Sequence, residues 1–244
     1  TVAYWLAGYS PLDDDEWSQY WEERPEQIWQ RRLLRRVLGP WARAALRSEG
    51  KPERPAMRHV ATVSRYERDK GVNGGTLPNH AKIIYNGVEV DLFTASRTQP
   101  CRPLRLLFAG RLSEDKGPQV AIDAMHHLVH QCGPRDIRLT IVGSGSPALE
   151  ATLRGRVTAL GLAEYVSFEG WQPRERMPAI LAAHDVYLLC SSVNEAFSRG
   201  VLEAMASGMA MVGTLTGGTA EILVEDVTGL TFTVGDSEAL ARQV

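Results

Sequence analysis

Four short segments carry residue types suited to holding anions and hydroxyl groups. In Gly110-Arg111-Leu112-Ser113-Glu114-Asp115-Lys116-Gly117, two cations stand between an apolar run and the start of a helical pattern. Free N–H groups and the helix dipole favour negative charge at such a place. Arg111 would add a fork of donors and Lys116 a mobile point charge, which is phosphate chemistry. Taken alone, the segment reads first as a solvated loop with two ordinary basic residues. Glu195-Ala196-Phe197-Ser198-Arg199-Gly200-Val201-Leu202-Glu203 places one carboxylate in a loop and a second on the helix that follows. Glu203 stands among Val201, Leu202 and Met205, residues of a buried kind, so it needs hydrogen-bond partners. Sugar or ribose hydroxyls would serve, since one carboxylate accepts two at once; a structural salt bridge would serve as well. Thr216-Gly217-Gly218-Thr219-Ala220-Glu221 pairs two glycines, which admit a ligand close to the backbone or simply make a turn. Gly143-Ser144-Gly145-Ser146-Pro147 is half of a dinucleotide loop, without the third glycine or the later acidic residue.

These segments gain meaning from the elements that must position them. From Leu104 onward the pattern predicts strands at 104–109, 138–142, 165–168, 185–190 and 210–213. Between them it predicts helices at 117–131, 148–160, 174–183 and 199–207, with a short one at 219–224. Strands that are almost continuously apolar and alternate with helices imply a parallel sheet covered on both faces. All four segments then fall at carboxyl ends of strands, where ligands of such sheets bind. Upstream, a strand is expected at 2–6, a turn at 8–11, and a helix carrying Leu34, Val37, Leu38 and Trp41, broken at 51–55. A strand follows at 59–63. Ser64 then caps a helix, with Glu67 completing a capping box. A strand at 82–85 closes on an Asn86-Gly87 turn, and 94–103 reads as a loose stretch.

Composition narrows the setting. The 244 residues are 44% hydrophobic and 23% charged, as in an ordinary globular chain. A formal net charge of -2 gives no field for a polyanion, so no nucleic-acid partner is expected. Cys101, Cys132 and Cys190 show neither disulfide nor metal-ligand spacing, which fits a reducing compartment. No apolar run reaches about 18 residues and no leader is evident, so a cytoplasmic location is expected. The basic stretch at 31–36, between Trp29 and Trp41, is compatible with peripheral contact on the cytoplasmic face of a membrane. A packed amphipathic helix with a solvated arginine face is the preferred reading. The chain opens on a strand already under way and stops on a helix barely begun, which suggests a fragment.

In this order the segments resemble the retaining glycosyltransferases of family 4, built on the two-Rossmann-domain architecture called GT-B. The matching stretches are Phe108-Ala109-Gly110-Arg111-Leu112 with Lys116-Gly117, Ile141-Val142-Gly143-Ser144-Gly145, Val166-Ser167-Phe168-Glu169-Gly170, Glu195 through Glu203, Glu203-Ala204-Met205-Ala206-Ser207-Gly208 and Gly217-Gly218-Thr219-Ala220-Glu221-Ile222. Val60-Ala61-Thr62-Val63-Ser64 and Tyr85-Asn86-Gly87-Val88 resemble the end of that family's first domain. Ser198 stands where the family usually has Gly, and Ala210 where it has Pro.

The resemblance implies an α/β fold of GT-B type. A partial acceptor-side Rossmann-like domain would span 1–95, a linker 96–103, and a donor-binding domain, cut short at its end, 104–244. It implies transfer of a hexose from a nucleotide-diphosphate sugar to a glycan or lipid-linked acceptor, with retention and without an essential metal or other cofactor. Arg111 and Lys116 would contact the diphosphate, Glu195 the transferred sugar and Glu203 the ribose. The amides of Phe197 and Ser198 would lie near the sugar and phosphate. Gly143, Gly145, Gly170 and Trp171 would border the base, and Gly217 and Gly218 would line the donor site. The other readings are a non-catalytic nucleotide-sugar binder and a sugar-nucleotide epimerase on a similar fold.

Overall fold

The computed structural model describes residues 60–93, 103–131 and 136–244. The strand expected at 2–6, the turn at 8–11, the basic helix with Trp29 and Trp41, the break at 51–55, most of the loose stretch at 94–103, and Cys101 and Cys132 lie outside the described residues. The chain divides into two compact units, Thr1–Thr62 with Arg68–Ile83, and Val63–Glu67 with Ile84–Val244. In the first, β1 (Ala61–Thr62) and β2 (Lys82–Ile83) pair in parallel. Helix α1 (Arg65–Asn73) carries residues of both. As the sequence predicts, the Ser64 hydroxyl accepts the Glu67 amide, at 3.1 Å.

Beyond Val63–Glu67 the second unit runs through a single turn, α2 (Val90–Phe93), and continues as strand and helix in alternation. In chain order these are β3 (Leu104–Ala109), α3 (Pro118–His126), β4 (Ile137–Val142), α4 (Pro147–Ala159), β5 (Val166–Gly170) and α5 (Met177–Ala182). There follow β6 (Val186–Leu189), α6 (Arg199–Ala206), β7 (Ala210–Gly213), β8 (Leu230–Thr231) and α7 (Ser237–Gln243). Local chemistry sets the boundaries. Ser146 accepts the Leu149 amide and Pro147 occupies the first turn of α4, where its missing N–H costs nothing. Gly161 and Gly208 take φ of 68° and 69°, the left-handed conformation that ends a helix.

The six strands β3 to β8 form one sheet in the order β5-β4-β3-β6-β7-β8, every neighbour parallel. The chain builds outward from β3 through β4 to β5, then returns to lay β6 on the other side of β3. Side chains alternate across the sheet. Leu106, Phe108, Leu139 and Ile141 pack on one face with Ile122, Met125 and Leu128 of the α3 segment. Leu107, Tyr187 and Leu189 pack on the other with Val201 and Ala204 of α6. Buried on both faces, β6 is a continuous apolar run, as is β3 from Leu106 onward.

The structure departs from the sequence pattern in four places. The helix expected at 117–131 is α-helical to His126 and π-helical over His127–Gln131. The one expected at 174–183 opens as a 3-10 turn, Arg174–Arg176, before α5. That expected at 219–224 is a 3-10 turn over Gly217–Glu221. Asn86-Gly87 forms no turn; residues 84–89 run without regular structure and the Asn86 side chain bonds across to Phe197.

Candidate functional site

The reversal of chain direction puts the carboxyl ends of β3 and β6 side by side. In open α/β sheets this switch point is where a crevice opens, because the loops leaving the two strands diverge. The loop leaving β3 carries Arg111 and Lys116; the loop leaving β6 carries Glu195.

The two loops are tied together by the main chain. The Asp115 carbonyl accepts the Ser192 amide at 2.8 Å and the Ser192 hydroxyl at 3.1 Å. Gly117, with φ of 71°, lies so close to β6 that a Cβ there would stand 2.3 Å from the Cys190 carbonyl oxygen. This tight seat delivers Lys116 to Glu195, 79 residues away in sequence, with Nζ 2.5 Å from Oε1. The pair is partly buried, with side-chain exposures of 24% and 16%. Arg111 stands further out and pairs with Asp115 at 3.5 Å.

Glu203 occupies the second helical turn of α6, with its side chain 14% exposed. Its Oε1 accepts from Nη1 of Arg174 at 3.2 Å, and Arg199 lies 3.8 Å away on the same helix. Arg174 also reaches Glu89, at 3.7 Å. Neither arginine was marked by sequence spacing, since a basic residue at the start of a helical turn carries no signal of what it folds against. Beneath the two glutamates lies Tyr187, fully buried in β6, whose hydroxyl donates to the Ala109 carbonyl at 2.8 Å. Burial raises its phenol well above the usual range, and the carboxylates of Glu195 and Glu203 add to the effect.

The glycine segments serve close packing of the main chain. A Cβ on Gly143 would stand 1.8 Å from the Gly110 carbonyl oxygen, and one on Gly145 would stand 2.1 Å from that of Leu112. Their amides donate to Gly170 O and to the Glu150 carboxylate, each at 2.8 Å. Likewise a Cβ on Gly217 would stand 2.4 Å from Glu195 O, and one on Gly218 would stand 1.9 Å from Ala196 O. At all four positions the space is already filled by neighbouring main chain. Gly110 and Gly170 differ: a Cβ there would meet nothing within 4 Å. Trp171, after β5, is 70% exposed. Phe197 and Ser198 close the Glu195 loop, and Ser198 stands at the N-cap of α6 in extended conformation.

The parallel sheet and its covering helices define an α/β fold of GT-B type. Residues 103–244 match the family model described as glycosyl transferases group 1, and the chain belongs to that family. It is 31% identical over 185 residues to the amylovoran biosynthesis glycosyltransferase AmsK of Erwinia amylovora, covering 73% of this chain and 44% of that one. It is 31% identical over 166 residues to a D-inositol 3-phosphate glycosyltransferase of Corynebacterium efficiens, covering 63% and 39%. The chain thus spans less than half the length of these relatives. Among solved structures, Anabaena Alr3699/HepE in complex with UDP and glucose superposes with a TM-score of 0.68 at 27% identity, covering 75% of this chain and 51% of that one. A glycosyltransferase from Rickettsia africae shares the fold, with a TM-score of 0.69 at 21% identity and coverage of 81% and 55%. Among the described residues no helix is long and apolar enough to cross a membrane.

Proposed function

We propose that this chain takes part in moving a hexose from a nucleotide-diphosphate sugar to a glycan or lipid-linked acceptor, with retention of anomeric configuration and without an essential metal. The observation that carries this reading is the Lys116–Glu195 pair at the switch point of the sheet. It sets a cation for phosphate beside a carboxylate for sugar hydroxyls. Lys116 and Arg111 bind the diphosphate, Glu195 faces the sugar and Glu203 takes the ribose hydroxyls in place of part of its contact with Arg174. The amides of Phe197 and Ser198 lie toward the sugar and phosphate. Gly143, Gly145, Gly170 and Trp171 border the base. Gly217 and Gly218 line the site from behind the Glu195 loop. Breaking the sugar–phosphate bond builds negative charge on the departing diphosphate. Cations held at that charge stabilise the transition state more than the ground state.

UDP is the first nucleotide to try, because the Anabaena neighbour binds it. The test is a thermal-shift panel of UDP, GDP and ADP with their glucose, mannose and N-acetylglucosamine conjugates, in EDTA. At about 100 times the dissociation constant a specific ligand adds ~2.7 kcal/mol. For a chain of this size that raises the midpoint by about 5–10 °C. A shift with one nucleotide series identifies the base. A folded sample that shifts with none of them removes donor binding from this chain.

A further inference from the structure

We propose that Tyr85, Asn86 and Glu221 are positioning residues for the loop that carries Glu195, and that they govern affinity for the sugar half of the donor more than the nucleotide half. The proposal rests on the donor reading above. Its structural half can be tested without any ligand.

The loop between β6 and α6 has no ladder or helix of its own to hold it, yet its carbonyls are gripped at Glu195 and again at Phe197. Gly218 donates to the Glu195 carbonyl at 2.6 Å. Asn86 Nδ2 donates to the Phe197 carbonyl at 3.0 Å. The Tyr85 ring lies on the Phe197 ring with centroids 4.9 Å apart and planes tilted by 33°. Tyr85 is fixed in turn, because its hydroxyl donates to Glu221 Oε2 at 2.9 Å. Glu221 is itself held: its carboxylate accepts the amides of Arg65 and Tyr66, at 3.1 and 3.0 Å. These are the first two residues of α1. A carboxylate on such amides is favoured by both hydrogen bonding and the helix dipole.

Gly218 and Glu221 belong to the same 3-10 turn. One short turn therefore sets the loop directly through the Glu195 carbonyl and indirectly through Tyr85 and Phe197. A carboxylate that must meet a sugar hydroxyl has to be held to within about 0.5 Å, and only a fixed loop can do that. None of the three residues is bonded to Arg111, Lys116 or Glu203, the groups assigned to the diphosphate and ribose. Loosening the brace should therefore cost the sugar contacts of Glu195 most and the phosphate less, since the loop reaches the phosphate only through the Phe197 and Ser198 amides while Arg111, Lys116 and Glu203 still hold the nucleotide.

The test uses the 244-residue chain and the variants Asn86→Ala, Tyr85→Phe and Glu221→Gln, each checked for an intact thermal transition. Hydrogen exchange without ligand should speed up at Phe197 and Ser198 and stay unchanged in β4. Calorimetric titration should show UDP-glucose binding weakened by about five- to tenfold in Asn86→Ala, the worth of one such hydrogen bond, with UDP itself within about twofold of wild type. Tyr85→Phe keeps the ring and should give a smaller loss in the same sense. Unchanged exchange at 197–198 overturns the brace. Faster exchange with equal losses for UDP and UDP-glucose overturns the assignment to the sugar half. A wild-type chain that binds neither compound overturns that half for a uridine donor, and the exchange result still decides the brace.

Discussion

Two corners of the site each hold a carboxylate against a cation, and they are built differently. Glu195 meets Lys116 at 2.5 Å, on a loop tied by hydrogen bonds through Gly218 and Asn86. Glu203 is shared between Arg174 and Arg199, whose side chains are 46% and 55% exposed. The first corner has one partner for its carboxylate, a lysine only 24% exposed. The second has two partners on long, half-solvated stems and can rearrange cheaply. The difference suits the proposed roles. Chemistry at a sugar needs a fixed carboxylate, whereas a ribose can displace one arginine contact and keep the other.

Lys116→Ala probes the rigid corner with the largest expected effect. It removes the cation proposed for the phosphate and leaves Glu195 without its pair, so nucleoside-diphosphate affinity should fall by about 2–5 kcal/mol in a titration. Unchanged affinity would break the contrast at its root. Gly218→Ala comes next, because its methyl would press on the Ala196 carbonyl. Overpacking of this kind costs about 1–3 kcal/mol, which lowers the unfolding midpoint by about 2–4 °C for each kcal/mol in a chain this long. A midpoint at the wild-type value would show that the turn yields easily and the corner is not rigid. On the soft side, Arg174→Ala and Arg199→Ala should each change nucleoside binding by only about 0.2–1 kcal/mol, the range for exposed ion pairs. A loss as large as that of Lys116→Ala would make the two corners equals.

A separate effect concerns pH. Burial pushes the Cys190 thiol, at the end of β6, up to about 12 from an ordinary 9.0. The folded state therefore holds this proton more tightly than the unfolded chain does. The stability tied to it is intact below pH 9.0 and is lost as pH rises toward about 12. Denaturant midpoints measured across that window should fall with pH in wild type and fall less in Cys190→Ala. Parallel slopes would place the loss elsewhere.

Much of the second unit was legible before any coordinates. The apolar runs gave β3, β4 and β6 to within a residue or two at each end, because the central strands of a sheet covered on both faces are mostly apolar. Gly161 and Gly208 marked helix ends because a left-handed residue is cheapest as glycine. Two-residue β8 and one-turn α2 are too short to show a period, so no pattern revealed them. Asn86-Gly87 has the composition of a turn and does not form one; a tertiary bond to Phe197 outweighs a local preference.

The amino-acid sequence by itself determined the alternation of strands and helices, and with it the fact that Arg111, Lys116, Glu195, Gly143 and Gly217 all fall at carboxyl ends of strands. Those are consequences of residues near one another in the chain. Only the tertiary structure decided that β6 returns to the side of β3, which brings Lys116 to Glu195. It alone decided that Glu203 answers to Arg174, and that the glycines at 143, 145, 217 and 218 make room for main chain. Strand order is set by how both faces of the sheet are covered, a property of many distant residues at once. A single segment, however well read, cannot carry it.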